Sequence, residues 1–363
     1  MPVGKGFSAI CALKRKTTKG WGSGAIALGA NNGIRILSES VTPTIEVLPD
    51  DSLGVGAVRQ KGDTISQQVA GSFPTYLKYD GLEQLLLLCI GHARTAPVKK
   101  GATPPAYLNE FTWKDSIDGY YATFAVDKQV AIHEIDSVKV GSFTIAGDAG
   151  GRVMLTIELI GRKFSNSSAV NASLSSVTEP TPRKYVLFSE GKFRMNAQSA
   201  AALANADNFY PAAFEITFSR NMDGILTSSG YFDEPTETDF TGVTGSFTLP
   251  KYESTTHENN FIAGNVMKAD IRFKAGSINA GNYYYQFCLY IPQLQITEAA
   301  REVGNAGRIA APLSWEATKA DTAPAGMTGA GLNYGVQAQS RASHRLPAIE
   351  IMNVTGDNPG AGG

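Results

Sequence analysis

The side chains that usually carry catalysis or hold metals are scattered in this sequence. Its four histidines are isolated and form no HExxH pair; they are His92, His133, His257 and His344. No Gly-X-Ser-X-Gly elbow for a nucleophilic serine occurs either. The sequence therefore predicts no catalytic residues, no metal and no cofactor, and it favours a structural protein over an enzyme.

Two groups of acidic residues have the chemistry of a glycosidase pair or a cation site. The first is Asp50 with Asp51, and the second comprises Asp233, Glu234, Glu237 and Asp239 in YFDEPTETDF. Both groups lie in turn-rich stretches, where solvated charge is the ordinary explanation. We interpret them as surface charges that are open to contacts with another molecule.

The glycine-rich stretch GWGSGAIALGANNG has the composition of a phosphate-binding loop but not its spacing. It lacks GxGxxG, a preceding buried strand and the Walker lysine. We predict instead an extended arm over residues 1–37. Every charged residue up to Leu37 is basic, so this arm is either solvated or docks on an acidic surface of a neighbour. The candidate contacts in the arm are Lys14, Arg15, Lys16 and Lys19.

The composition excludes several classes of protein. Lys and Arg total 32 against 33 for Asp and Glu, so no global positive field marks a nucleic-acid binder. The 3 cysteines are far apart, which argues against a disulfide framework and for synthesis in a reducing cytoplasm. The longest apolar run, Leu85 to Ile90, is far too short to span a membrane.

One stretch of the chain occurs twice. VAGSF at residues 69–73 and VTGSF at residues 243–247 each begin a strand that leads to a Lys-Tyr pair and then to a helix. In both copies an acid lies three residues after a helix-capping residue, which is the spacing of a capping box; the pairs are Asp80 with Glu83 and Thr255 with Glu258. The shared order predicts two related halves. The second helix is the weaker one because it contains several Asn and a Gly.

Strand-like alternation fills most of the remaining sequence, so an all-β sandwich or barrel with one helix per half fits best. The predicted segments after the arm are a first β domain at 38–164 with a projecting loop at 46–62, a Ser-, Asn- and Pro-rich linker at 165–182, a second β domain at 183–320, and a Gly/Ala loop, last strand and tail at 321–363. Pro292 lies inside a long aromatic strand and predicts a bend, a bulge or an edge.

This order of elements resembles the major tail tube proteins of long-tailed bacteriophages. The residues that carry the likeness are SESVTPTIEVLPDDSLGVGAVRQ, VAGSF with a short helix, a glycine-bounded hairpin, and a second half with VTGSF and a terminal strand. The likeness covers roughly residues 38–320 as an order of elements. It implies a mainly β fold of two related tail-tube-type β-sandwich or barrel domains, each with a flanking α-helix, that close into a ring across subunits. It implies no catalytic residues.

The resemblance also implies a virion tail protein, made in the host bacterial cytoplasm, that assembles with itself into stacked rings around a bore for DNA. If both halves are tube domains, three chains form a ring of pseudo-sixfold symmetry; if only one half lines the bore, six chains are required. The other implied partners are a tape measure protein, tail terminator or distal tail proteins, and DNA in transient passage, without a membrane.

A bore that lets DNA slide should carry polar or acidic side chains rather than arginine clusters that hold phosphates. The polar faces of amphipathic strands supply the candidates for the bore, which are Thr156, Glu158, Glu215 and Thr217. Arg272 and Lys274 lie on an equally polar face, and the sequence leaves open which face points inward. For stacking between rings, the candidates are the basic residues of the arm and the two acidic groups named above.

Two alternatives belong to other classes. One is a different virion component, such as a capsid decoration protein or a tail fibre domain. The other is a carbohydrate-binding or hydrolytic β-sandwich, for which the tyrosines at positions 283 to 285 would form a stacking platform. Hollow stacked rings in electron micrographs support the tube, whereas a monomer that binds glycans rejects it.

Overall fold

A computed structural model describes residues 6–51, 61–91, 97–100, 104–181, 184–279, 283–299, 301, 309, 311–327 and 344–354. The strands of the first half are β1 Ile10–Arg15, β2 Gly33–Ile34, β3 Thr42–Leu48, β4 Asp63–Tyr76, β5 Val98–Lys100, β6 Ala106–Thr112, β7 Ala122–Asp127, β8 Ile132–Asp148, β9 Met154–Gly161 and β10 Phe164–Ser165. Those of the second half are β11 Gly191–Ala197, β12 Asn208–Phe209, β13 Ala213–Ser219, β14 Met222–Asp223, β15 Thr236–Glu237, β16 Gly242–Leu249, β17 Val266–Ser277, β18 Tyr284–Glu298, β19 Ala311–Ala317 and β20 Ala348–Asn353. The helices are α1 Glu83–Ile90 and α2 Thr256–Ile262.

The strands form two layers around one core. The central sheet is antiparallel and runs in the order β3-β4-β9-β8-β13-β16-β19-β18. The outer layer contains β1 and β7 beside the first part of β8, and β11, β17, β20, β6 and β5 beside β18. Because β8 and β18 belong to both layers, they join the layers into a sandwich, and the described strands do not close into a barrel. The predicted mainly β fold with two helices is confirmed.

The second half repeats the strand pairings of the first. We call β1-β7-β8-β9-β4-β3 the first unit and β11-β17-β18-β19-β16-β13 the second unit, because each strand pairs with the same neighbours in both. The register matches as well: Gly71 lies opposite Leu159 in the first unit, and Gly245 lies opposite Trp315 in the second. Both β8 and β18 contain register shifts at matching places, and one of those in β18 contains Pro292. Of the bend, bulge or edge predicted at this proline, the structure has the bulge.

Alternation along the strands separates a core face from a polar face. In β13, Phe214, Ile216 and Phe218 are buried, and the residues between them face away from the core. The same pattern in β9 buries Leu155, Ile157 and Leu159. The repeated VxGSF stretches follow this rule, since their Val and Phe enter the core and their Ser lies on the polar face.

The two helices differ in burial, and neither has the predicted capping box. α1 begins after Leu82, buries nearly all of its residues and ends at Gly91, which has a positive φ of 90° as a helix-terminating glycine often does. α2 buries none of its residues. Neither N-cap residue, Leu82 or Thr255, makes a side-chain capping bond. Glu83 is buried and accepts a bond from Asn353 Nδ2, and Glu258 accepts one from the Tyr252 hydroxyl at 2.7 Å.

The N-terminal stretch and the 165–182 segment are more tightly packed than their composition predicts. β1 pairs along β7 for six residues and supplies buried Ala12 and Leu13, so it is a strand of the outer layer rather than a free arm. Asn171 is buried, and its side chain is satisfied there: it accepts the Leu28 N–H at 2.9 Å and donates to the Ile26 carbonyl at 3.0 Å. Single polar contacts of this kind leave no periodic signal in a sequence.

Glu83 makes the stability of the fold depend on pH. Burial, reinforced by the charge of Asp80, raises the pKa of Glu83 to about 7 from an ordinary value of 4.5. Between these values the folded chain holds a proton that the unfolded chain has lost, so stability falls as the pH rises through that window. We expect the free energy of unfolding to fall by roughly 3 kcal/mol between pH 4.5 and pH 8 and Glu83→Gln to flatten this dependence. Urea unfolding at a series of pH values measures it, and an unchanged slope in Glu83→Gln contradicts it.

Candidate functional site

The polar face of the central sheet is the largest feature that gathers the predicted functional residues. Thr156, Thr144, Thr217, Thr244 and Glu316 lie side by side across five neighbouring strands. The row therefore passes from the first unit into the second without a break. A shallow depression lies on the second-unit part of this face, above Gly245.

All four residues predicted for the bore lie on this face. Thr217 shares a hydrogen bond with Thr144 across the junction of the two units, with 2.9 Å between their oxygens. Glu158 is exposed and accepts a bond from the Ser142 hydroxyl at 2.7 Å. Glu215 is exposed in the row next to Thr217, and Thr156 lies opposite Thr144. The structure thus brings the candidates from two distant sequence regions onto one surface.

The strands of the central sheet, with β8 counted from Val140, carry acidic side chains but no basic ones. The acids on this face include Asp148, Glu158, Glu215, Glu298 and Glu316. The strands β3, β4, β9, β13, β16, β18 and β19, and β8 from Val140 onward, contain no Lys or Arg. The basic residues lie instead in outer-layer strands such as β1, β11 and β17. Arg272 and Lys274, which the sequence left undecided, belong to β17 and not to this face.

Most of the basic residues of the predicted arm make contacts within their own chain. Lys16 is fully buried and donates to the Ser137 hydroxyl at 3.0 Å, and burial lowers its pKa. The Arg15 guanidinium stacks 4.5 Å above the Tyr120 ring centre. Lys14 is half-buried in β1. Lys19 is exposed while its ammonium donates to the Ala25 carbonyl at 2.8 Å, so it is the member of this set that is best placed for an outside contact.

The acidic stretch around 233–239 divides into two kinds of residue. Glu234 pairs with the fully buried Lys139 at 2.8 Å, and Glu237 pairs with the buried Arg220 at 3.0 Å. These two acids therefore neutralise cations inside the subunit, which the sequence does not reveal. Asp233 and Asp239 are exposed, and each accepts a bond from the N–H of the residue that follows it.

A hairpin of β3 and β4 extends from one end of the central sheet. Its exposed apolar side chains are Ile45, Val47, Leu48 and Ile65. Asp50 and Asp51 follow β3 directly, and the rest of the predicted projecting loop, residues 52–60, lies outside the described residues. Exposed apolar residues grouped on a projecting element are typical of a contact surface.

Nothing in the described part of the chain has the arrangement of a metal site, since no three His, Cys, Asp or Glu side chains come together there. His344 is buried against Glu350, at 3.1 Å, and His92 falls outside the described residues. No helix among the described residues is long and apolar enough to cross a membrane.

Several residues of the polar face could not be selected from the sequence. Glu316 and Ser314 alternate with buried Leu313 and Trp315 in β19, a signal as strong as that of β13. Ser142 and Asp148 lie in the second part of β8, where the junction with β13 brings them onto the face. Alternation identifies such polar positions, but only the strand order shows which of them share a surface.

Comparison with known proteins agrees with this architecture. The family model described as phage tail tube protein matches residues 6–317, a range that includes both units. No curated protein matches the sequence. Because the family model covers most of the chain, the chain belongs to the phage tail tube protein family and is a structural component of a phage tail.

Proposed function

We propose that the polar face of the central sheet lines the bore of the tail tube and that DNA slides along it during ejection. The observation that carries this proposal is the charge distribution: one face spans both units, contains at least five acids and comes from strand segments without Lys or Arg. Phosphates bind where Lys and Arg neutralise them, so a wall without these residues holds no phosphate in place. The acids repel the phosphates of DNA, so DNA does not bind to the wall as it passes.

The tube is built from rings, and each chain supplies two units to a ring. Three chains then give six units and pseudo-sixfold symmetry, with six chains as the alternative if only one unit lines the bore. The support for three chains is that both units have the same strand order and both contribute to the polar face. Contacts that repeat head to tail close a ring when the rotation between units divides a full turn.

Stacking between rings is assigned to the β3–β4 hairpin and the exposed charges. The hairpin carries four exposed apolar side chains that a neighbouring ring would cover. Asp50 and Asp51 adjoin it, and Lys19, Asp233 and Asp239 are exposed elsewhere on the surface. The tape measure protein and the tail terminator or distal tail proteins are the other partners in this proposal, and the three buried cysteines, none of which forms a disulfide, fit synthesis in the reducing host cytoplasm.

Electron microscopy of the purified protein tests the assembly. Negative-stain images should show hollow tubes or stacked rings, and averages viewed down the axis should show six repeating densities. Mass photometry of single rings then distinguishes three chains from six. A protein that stays monomeric at all concentrations and salt conditions contradicts the proposal.

The bore assignment predicts a charge effect on DNA passage. In phage carrying Glu158→Lys with Glu215→Lys, the lysines on each chain would hold phosphates along the bore. We expect tubes to assemble and DNA ejection to slow by about tenfold near 50 mM salt, with the difference shrinking as salt rises. Dye fluorescence of released DNA, followed in time after receptor triggering, measures the rate.

The matched control is Glu158→Gln with Glu215→Gln, which keeps the side-chain size and adds no cation. It should eject DNA within about twofold of wild type, because no phosphate site is created. If the lysine variant ejects at the wild-type rate, or if its slowing does not depend on salt, the polar face does not line the path of DNA.

A further inference from the structure

An open groove lies on the first unit, between β1, the end of β7 and the stretch that precedes β3. It has a volume of about 1200 Å³, and its lining includes the apolar side chains of Ile10, Ile36 and Val126. Cys11 also lines the groove and is 2% exposed, so its thiol lies at the bottom. A concave site with largely apolar walls is where proteins usually bind small molecules.

The equivalent place in the second unit is filled by phenylalanine rings. The strand pairings of the two units match three residues of the groove with three phenylalanines: Cys11 with Phe193, Lys128 with Phe273, and Glu39 with Phe214. These three rings contact one another, with centres 5.2 to 6.0 Å apart. The second unit therefore shows which chemistry this part of the fold accommodates.

A fourth ring of the second unit has a glycine as its counterpart. Phe188–Glu190 form a 3₁₀ turn just before β11, and Gly6–Ser8 form the same turn just before β1. Phe188 therefore corresponds to Gly6, and its ring centre lies 5.8 Å from that of Phe193 and 5.9 Å from that of Phe214. A Cβ atom added at Gly6 would meet nothing within 4 Å, so the space beside Gly6 is open.

The groove is thus the hollow left where smaller or charged residues replace an aromatic cluster. An ion pair stands in place of one contact between rings, with 2.6 Å between Lys128 Nζ and Glu39 Oε1. Burial, reinforced by the charge of Glu39, raises the pKa of the Cys11 thiol. Burial, together with the charge of Lys128, lowers the pKa of His133, which also lines the groove. Both groups are therefore uncharged at neutral pH.

We propose that this groove is a binding site for a small, uncharged aromatic molecule. A ring fits because rings fill the equivalent walls in the second unit. A buried sulfur atom and a cation at the rim both favour an aromatic ring over an aliphatic one; here they are the thiol of Cys11 and the ammonium of Lys128, whose side chain is 37% exposed.

The ligand carries no charge because the ions that line the groove already form pairs with each other. Lys128 pairs with Glu39, and Arg35 pairs with Glu179 at 2.7 Å. A charged ligand would have to break one of these pairs or lie unpaired against apolar walls, which is costly. The site belongs to the single chain, so the proposal does not rest on ring assembly.

Titration of 5-fluoroindole, an uncharged aromatic probe, tests the site. Fluorine NMR with the purified full-length chain, under conditions in which it is unassembled, should show saturable binding. Phenol should displace the probe at about a threefold lower concentration than cyclohexanol, which has a ring of the same size without aromatic electrons.

Gly6→Phe fills the groove with the ring that the second unit has at Phe188. Because a Cβ atom fits at Gly6, the variant should fold, and it should weaken probe binding by at least about tenfold. The matched control is Gly6→Ala, which adds the Cβ atom alone and should bind within about twofold of the parent chain. Circular dichroism and urea unfolding check that both variants are folded.

The reverse change opens the second unit. Phe188→Ala removes the covering ring and should create a second site for the probe. Spectra of the chain with labelled isoleucine methyl groups locate both sites. The methyl signals of Ile10 and Ile36 should shift in the parent chain, whereas that of Ile271, which corresponds to Val126, should shift only in Phe188→Ala.

The outcomes decide the proposal without reference to the tube. Binding that Gly6→Phe removes and Gly6→Ala keeps, with shifts at Ile10 and Ile36, supports it. No saturable binding, unshifted Ile10 and Ile36 signals, or parent-like affinity in Gly6→Phe overturns the site. Equal displacement by phenol and cyclohexanol overturns the aromatic preference. Each of these failures leaves ring assembly, which electron microscopy tests, untouched.

Discussion

Replacing Asp270 by asparagine is expected to cost about 3–5 kcal/mol of folding stability, the range for breaking a buried ion pair by removing one partner. Asp270 is fully buried in β17 and accepts bonds from Arg194 Nε at 2.8 Å and from Arg194 Nη2 at 2.6 Å. A second guanidinium, that of Arg272, reaches the same carboxylate at 2.5 Å. The asparagine variant leaves two cations facing each other with no anion between them.

Chemical unfolding of the subunit, followed by circular dichroism under conditions in which it is monomeric, measures this loss. The matched control is Glu253→Gln, which breaks the exposed pair with Lys251 and should change stability by less than about 0.5 kcal/mol. Adding Arg194→Met to Asp270→Asn should recover part of the loss because it removes one unpaired cation. A cost below about 1 kcal/mol for Asp270→Asn would mean that water or another acid replaces the carboxylate.

The local elements of this fold could be predicted from the sequence because their signals are local. Alternation marked β9 and β13, Gly91 marked the end of α1, and Pro292 marked a bulge in β18. The VxGSF repeat identified the strands that occupy equivalent places in the two units. Each of these features depends on residues that are neighbours in the chain.

What the sequence could not show depends on distant pairings. The β8–β13 junction joins residues 65 to 77 positions apart, and it decides that Thr156 and Thr217 share a surface. From the sequence, Glu234 and Glu237 are indistinguishable from surface charges. The structure shows that each pairs with a buried cation, Lys139 or Arg220. The β1 strand was predicted as an arm because six residues between glycine-rich stretches carry too little pattern to indicate a partner strand.

The repeated glycines give the second large prediction, since neither position has room for a Cβ atom. At Gly71, an added Cβ would lie 2.5 Å from the Ser40 carbonyl oxygen and 2.5 Å from Val41 Cα. At Gly245, it would meet the Trp315 ring, with Cε2 at 2.7 Å, and the Glu215 carbonyl oxygen at 2.9 Å. Ser40 and Glu215 are equivalent residues of the two units, so both glycines admit the same neighbouring carbonyl, and Gly245 in addition faces the Trp315 ring.

The atoms that an added Cβ would meet differ between Gly71 and Gly245, so the second substitution expected to restore stability differs as well. Gly71→Ala should cost about 3 kcal/mol or more, because backbone atoms cannot move aside without separating β3 from β4. Gly245→Ala should cost about 2 kcal/mol, and Trp315→Leu should relieve part of it by installing the residue type that the first unit has at the equivalent Leu159.

A double-mutant cycle on Gly245→Ala and Trp315→Leu, measured by chemical unfolding, should give a favourable coupling of about 1 kcal/mol. The corresponding cycle on Gly71→Ala and Leu159→Ala should show no favourable coupling, because the Leu159 side chain is not what fills the space at Gly71. Equal coupling at both sites would mean that the facing side chain, and not the neighbouring backbone, sets the need for glycine.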